Sequence, residues 1–223
     1  MNPTIHPVFE PQTCTWQYIV ADPSTKSAAI IDPVLDFDPA RSTVSTKSAD
    51  NLLAFVRKHG YSVTALLETH LHADHLTAAK YLQDRLAEIQ HGQRPVIGIG
   101  GRIGDAQERF AKRYGVEREE WEGAFDKYFG DDEVFMTNPH TENVFCGDSI
   151  FNEDVGSARC DFPAATPTIY RPNGTPKPSC TVAEQMAHNK HLKSGTSEAD
   201  FVGWRTERDA GLGNHGFCIR RCR

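Results

Sequence analysis

The 223-residue sequence predicts an α/β fold, and three observations predict it. Runs rich in β-branched and aromatic residues alternate with amphipathic runs of helical period as far as Tyr114. Asp-Pro and Gly signals close these runs where turns are needed. Hydrophobic residues make up 39% and charged residues 24%, a balance that buries a core and does not resemble a disordered chain.

Thr15–Val20 is β-branched and aromatic and stops at Asp22-Pro23, so it predicts a strand. Ala28–Ile31 predicts a second strand, stopped by Asp32-Pro33, and the two start a sheet as a hairpin. Ser48 is the expected cap of a helix with Leu52, Leu53, Phe55 and Val56 on one face and Gly60 at its end. Ser62–Thr69 predicts a buried strand and Leu76–Ile89 a helix with Ala79, Leu82 and Leu86 in one stripe. Val96–Ile99 follows as a strand and Asp105–Tyr114 as a helix. The run Gly98-Ile99-Gly100-Gly101 lacks the G-x-G-x-x-G spacing and any P-loop lysine, and is expected to be a turn. Beyond Trp121 the pattern weakens: a turn at Gly130–Glu133, a short strand at Val144–Cys146, and a proline-rich loop over Ala164–Ser179. Thr181–Lys193 and Ser197–Arg208 predict two helices, with Glu184 and Asp200 at capping-box spacing. One domain over 1–212 is expected, with 213–223 as a disordered tail.

Charge and composition exclude several classes. A formal charge of −6 and no basic run before the last residues argue against nucleic acid as a partner. The longest apolar runs, such as Ser27–Ile31, are far below the ~20 residues that span a bilayer, so no membrane partner is expected. The six cysteines form no CxxC pair, which fits reduced thiols inside a cell. Met1–Glu10 has no Arg or Lys and is unlike a transit peptide. Cytoplasmic placement is expected, with the mitochondrial matrix as the alternative, and a homodimer stays open as an assembly.

The chemistry concentrates in Thr69-His70-Leu71-His72-Ala73-Asp74-His75, three histidines and a carboxylate directly after a buried strand. Neutral imidazoles and a carboxylate suit zinc, iron or manganese. On the extended part His70 and His72 share a face by the period of two, and Asp74 and His75 fall at the turn into the next helix, able to point back to the same spot.

This motif resembles the signature of the metallo-β-lactamase superfamily, which implies an αββα sandwich (an α+β sandwich). The resemblance is nearer to its persulfide (sulfur) dioxygenase branch, iron enzymes that oxidise glutathione persulfide. It is carried by Thr15-Trp16-Gln17-Tyr18, Asp32-Pro33-Val34, Glu68 to Thr77, Gly147 to Phe151, Gly156 to Phe162, Thr181 to Gln185 and Gly195 to Glu198. Ala158-Arg159-Cys160-Asp161-Phe162 is the part specific to the branch. The resemblance implies one Fe(2+) per chain, with His70 and Asp148 as ligands and His140 as the only candidate for a third. It places His72, Asp74 and His75 in catalytic support, at positions that hold Zn(2+) in zinc relatives. It also implies a small-molecule thiol or persulfide substrate, glutathione, with Arg159 pairing to a carboxylate of that substrate and Tyr170 hydrogen-bonding it. Cys160 reads equally as a structural or a reactive thiol. His188 and His191 share a helix face and are expected to be solvated.

The chain departs from the family at two joins. His140 lies in Asn138-Pro139-His140-Thr141, only eight positions before Asp148, and Thr168-Ile169-Tyr170 stands where the family has its last metal histidine. The second half of the sandwich is therefore expected to be incomplete. The expected function is a persulfide dioxygenase. The alternatives are a glyoxalase-II-like thioester hydrolase with two zinc ions, and an inactive shortened relic.

Overall fold

Six strands build a mixed sheet in the order β1 (Thr4–Glu10), β2 (Thr15–Ala21), β3 (Ser27–Ile31), β6 (Ser62–Glu68), β8 (Val96–Gly100) and β9 (Lys127–Phe129). The computed structural model describes residues 2–72, 74–131, 133, 143–151, 156 and 177–210. The chain divides into two compact units, Met1–Phe145 and Cys146–Arg223.

In the first unit β1–β2 and β2–β3 pair antiparallel, as the hairpin start predicts, while β3, β6, β8 and β9 run parallel. Parallel neighbours need crossovers. These are supplied by helices α1 (Lys47–His59), α2 (Ala79–Ile89) and α3 (Ile103–Tyr114). Leu52, Leu53 and Val56 of α1 and Leu82 and Leu86 of α2 close over Ile19, Ile30, Val63, Leu66 and Ile97 of the sheet. That apolar layer holds the C-terminal ends of β3, β6 and β8 in line, where α/β sheets carry their ligands.

The departures from the predicted elements have local causes. β1 contains Pro7, which cannot donate a ladder hydrogen bond and is tolerated because β1 is an edge strand. β4 (Val34–Asp38) and β5 (Thr43–Ser45) carry acidic and exposed positions that hide the period-two pattern. α1 begins at Lys47 without a side-chain cap from its own chain start. Ser48 instead donates its N–H (2.8 Å) and its hydroxyl (2.6 Å) to the carboxylate of Asp36 on β4, which satisfies a first-turn donor from outside the helix.

The expected helix from Leu76 starts three residues later. Leu76 and Thr77 form β7 (Leu76–Thr77) against Leu35 and Val34 of β4. The glycine run is strand through Gly100 and not a turn. A Cβ at Gly98 would lie 2.6 Å from the Phe129 ring, so the glycine lets β9 approach. Val144–Cys146 is irregular, with Val144 84% exposed and no burial to favour a strand.

The turn from β2 to β3 carries its own electrostatic lock. Asp22 accepts hydrogen bonds from Ser24 N–H (2.8 Å), Ser24 hydroxyl (2.6 Å) and Thr25 hydroxyl (2.7 Å), and these donors lower its pKa to about 2. A lowered carboxylate stabilises above its unfolded value, about 3.9, and loses that contribution as pH falls through the folded value. Asp22→Asn is therefore expected to lower the melting temperature at pH 5, and the gap to wild type should close as pH falls from 4 to 2. A gap that does not narrow with acid would contradict this.

In the second unit α4 (Val182–His188) opens on the predicted capping box of Thr181 and Glu184. It stops five residues early because the buried Asn189 side chain accepts from the N–H groups of His191 and Leu192, both at 2.8 Å, and replaces the next turn. α5 (Glu198–Ala210) starts after Ser197, whose hydroxyl accepts from Asp200 N–H at 3.1 Å. His191 is not solvated. It is 9% exposed, with its ring 3.8 Å from that of Trp204 and closely packed on Gly156. No helix among the described residues is long and apolar enough to cross a membrane.

Candidate metal centre

β6 delivers Glu68 and then the histidine turn to the C-terminal edge of the sheet, beside the end of β3. There Asp32 adopts a left-handed conformation (φ 51°) and turns its carboxylate to the turn. One oxygen accepts from Thr69 N–H (2.8 Å) and the other from Thr69 hydroxyl (2.7 Å). Asp tolerates this conformation better than most residues, and here the two hydrogen bonds hold it.

The three rings converge as the spacing predicts. The His70 and His72 centroids are 4.2 Å apart and those of His72 and His75 are 4.1 Å apart. Each ring is wired differently. Thr69 has one hydroxyl proton, given to Asp32, so its contact with His70 Nδ1 (2.9 Å) makes that nitrogen the donor and puts the neutral ring's lone pair on Nε2. His72 Nε2 lies 3.1 Å from both Asp32 Oδ1 and Glu68 Oε2 and donates to them. Glu68 is in turn held by the Thr77 hydroxyl. His75 Nδ1 faces Asp74 Oδ1 (3.3 Å) and Thr15 Oγ1 (3.5 Å), both acceptors, so its lone pair is on Nε2.

Charge follows from these contacts. Burial opposes a charge on His72, but the hydrogen bonds and negative charges of Asp32 and Glu68 outweigh it and raise its pKa to about 10. Asp32 is held below the usual carboxylate range despite its burial, chiefly by His72 and then by Thr69. Asp74, the exposed member, is held down to about 2 by His75 and His72 although partial desolvation works the other way.

Among the described residues two groups of side chains have ligand atoms within 4.8 Å of one another: His72, Asp74 and His75, and Asp32, Glu68 and His72. The donor set fits a divalent ion such as iron or zinc. A further observation supports the fit: His75 Nε2 is buried and has no hydrogen-bond partner among the described residues. A lone pair in that state costs free energy that a cation would recover. Metal-binding histidines generally give their second N–H to a carboxylate or other acceptor, and all three rings here do so.

The other expected site residues are placed less completely. Asp148 lies in the second unit on a short 3-10 turn, Gly147–Ser149, and not at the end of a strand. His140, Arg159, Cys160 and Tyr170 lie outside the described residues, as does the proline-rich loop before residue 177. Sequence reasoning missed the supporting shell of Asp32, Glu68, Thr69 and Thr15. The available signal was an acidic residue ending each of two neighbouring parallel strands. It was hidden because Asp32-Pro33 also reads as a plain turn.

Comparison with known proteins adds to this geometry. A profile of the metallo-beta-lactamase superfamily matches residues 15–195. Glyoxylase B2 of Dictyostelium discoideum is 34% identical, covering 91% of this chain and 83% of the relative. That alignment spans 248 positions, more than the 223 residues of the chain, so the relative has internal segments with no counterpart here. Bovine persulfide dioxygenase ETHE1 is 31% identical over 83 residues, 37% of this chain and 28% of the relative. The crystal structure of ETHE1 from Myxococcus xanthus superposes with a TM-score of 0.56 at 21% identity, covering 95% of this chain and 92% of that one, and so shares the fold.

Proposed function

The chain belongs to the metallo-beta-lactamase superfamily, and from that premise we propose that it is an iron-dependent persulfide dioxygenase. The substrate is glutathione persulfide. With dioxygen and water it gives glutathione and sulfite: the terminal sulfur is oxidised, dioxygen is reduced, and the S–S bond breaks. The observation that carries this reading is the branch-specific run Ala158-Arg159-Cys160-Asp161-Phe162. The local likeness to bovine persulfide dioxygenase and the shared fold support it.

In this proposal His70, His140 and Asp148 would hold one ferrous ion, which would supply the redox chemistry for oxidation of the terminal sulfur by dioxygen. The protein's own groups prepare the site. Asp32, through the Thr69 hydroxyl, fixes His70 as the tautomer with its lone pair on Nε2. Asp32 and Glu68 clamp His72 and fix the path of the turn. Asp74 and Thr15 accept the Nδ1–H of His75, which keeps the lone pair of that ring on the buried Nε2, unpartnered among the described residues. Arg159 pairs with a substrate carboxylate and Tyr170 donates a hydrogen bond to the substrate.

A second reading, a dinuclear zinc thioester hydrolase, is favoured by one specific observation. His72, Asp74 and His75 already form a donor group without any contribution from the second unit. The two are separated by assay of the purified chain. Iron-loaded protein should consume dioxygen with glutathione persulfide and leave a glutathione thioester intact. Thioester hydrolysis by zinc-loaded protein without oxygen uptake by the iron form would overturn the proposal. A shortened chain that does neither is the relic.

A further inference from the structure

Two clefts flank the C-terminal edge of the sheet beside the histidine turn, of about 380 and 360 Å³. They share Thr69, Ile99, Gly100 and Phe129 and so form one trough. The first is lined by Ile31, Leu67, Val144 and Phe145 with Glu68 and Asn143. The second carries His70, Arg102 and Asp131 among Ile103, Ala106 and Phe129. All of these residues belong to the first unit.

Gly100 is exposed and lines both clefts. It lies on β8 with an ordinary strand φ, and a Cβ built there meets nothing within 4 Å. Gly98 and Gly101 are glycine because Phe129 crowds them, at 2.6 and 2.9 Å from an added Cβ. Gly100 has no such packing reason, and its bare backbone leaves open the space beside it that a side chain would enter. Arg102 is the only lysine or arginine among the described residues that line it. Its guanidinium holds Asp131 through two bonds, 2.9 and 2.5 Å, with both side chains well exposed (84% and 66%). An exposed pair of this kind is weak and exchanges partners readily. The fork geometry is already that of carboxylate recognition. On a chain of net charge −6, an anionic ligand needs such a local cation.

We infer that this trough seats the peptide part of a thiol substrate, with Arg102 as its carboxylate clamp and Asp131 as the internal carboxylate that the substrate displaces. The inference rests on the thiol-substrate reading above and extends it to a site in the first unit. The sulfur end of the ligand then faces His70, and its carboxylate end meets Arg102, ahead of α3, in the same cleft beside Gly100.

The test is a calorimetric titration of the metal-loaded full chain with glutathione and with its carboxylate-esterified form, which needs no turnover. Arg102→Ala should weaken glutathione binding at least tenfold and leave the ester unchanged. Asp131→Asn should strengthen glutathione binding a few fold. Gly100→Val, which suits a strand and whose Cβ meets nothing within 4 Å, should weaken both ligands with an unchanged melting temperature. Wild-type affinity for glutathione in Arg102→Ala would overturn the inference, as would a chain that binds no glutathione. Gly100→Val that binds both ligands normally would overturn it too. Failure here leaves oxygen uptake with small persulfides untouched, and failure of oxygen uptake leaves glutathione binding untouched, so the two claims fall separately.

Discussion

His72→Ala is expected to destabilise the metal-free protein by about 3–5 kcal/mol, the cost of removing one partner of a buried charge group. The His72, Asp32 and Glu68 side chains are only 7, 9 and 2% exposed, and a single ring nitrogen contacts both carboxylates at 3.1 Å. Without the imidazolium, two carboxylates at the ends of β3 and β6 face each other with no cation between them. Protonation relieves part of that repulsion, and the remainder acts against a net stability of only ~5–15 kcal/mol. His72→Gln keeps an amide NH2 as donor but no charge and should fall between. Urea unfolding of the three metal-free proteins at neutral pH measures the difference. A loss below about 1 kcal/mol for His72→Ala would mean that the triad contributes little, as for an exposed pair.

His70→Ala is expected to remove most of the bound metal with a smaller effect on the fold. A site that holds its ion through two or three protein groups cannot lose one cheaply, because the remaining donors no longer outweigh the ion's hydration. His72→Ala, by comparison, should reduce metal affinity about 10–100-fold, the range for a supporting group. Metal content measured on folded, purified samples of each variant distinguishes these outcomes. Equal loss in both would put His72 among the ligands, and with His72, Asp74 and His75 as one donor group it would favour two zinc ions over one iron.

The elements read most securely from sequence were those with their own hydrophobic signal. β2, β3, β6 and β8 are near-continuous apolar runs, and α1 and α2 carry a clear stripe. What sequence missed depends on partners distant in the chain. β4 and β7 exist because Val34 and Leu35 pair with Thr77 and Leu76 some forty positions away, and neither segment shows a period by itself. Ser48 does not act as the expected cap because its donors go to the carboxylate of Asp36, twelve positions earlier. α4 ends early because of one buried asparagine, whose role depends on the loop it meets.

The candidate site divides in the same way. His70, His72, Asp74 and His75 were legible because adjacent residues in one turn must converge. Their tautomers were not, since these are set by Asp32 and Thr15 on other strands. The Arg102 arm of the trough was also hidden, because it forms only when α3 and β9 are placed beside β6.

The persulfide dioxygenase reading is tested most directly by the metal content of the purified chain, counted by elemental analysis, together with oxygen uptake on adding glutathione persulfide. The expected result is one iron per chain and dioxygen consumption that produces sulfite. Two zinc ions per chain, with no oxygen consumed and a glutathione thioester hydrolysed, would contradict it.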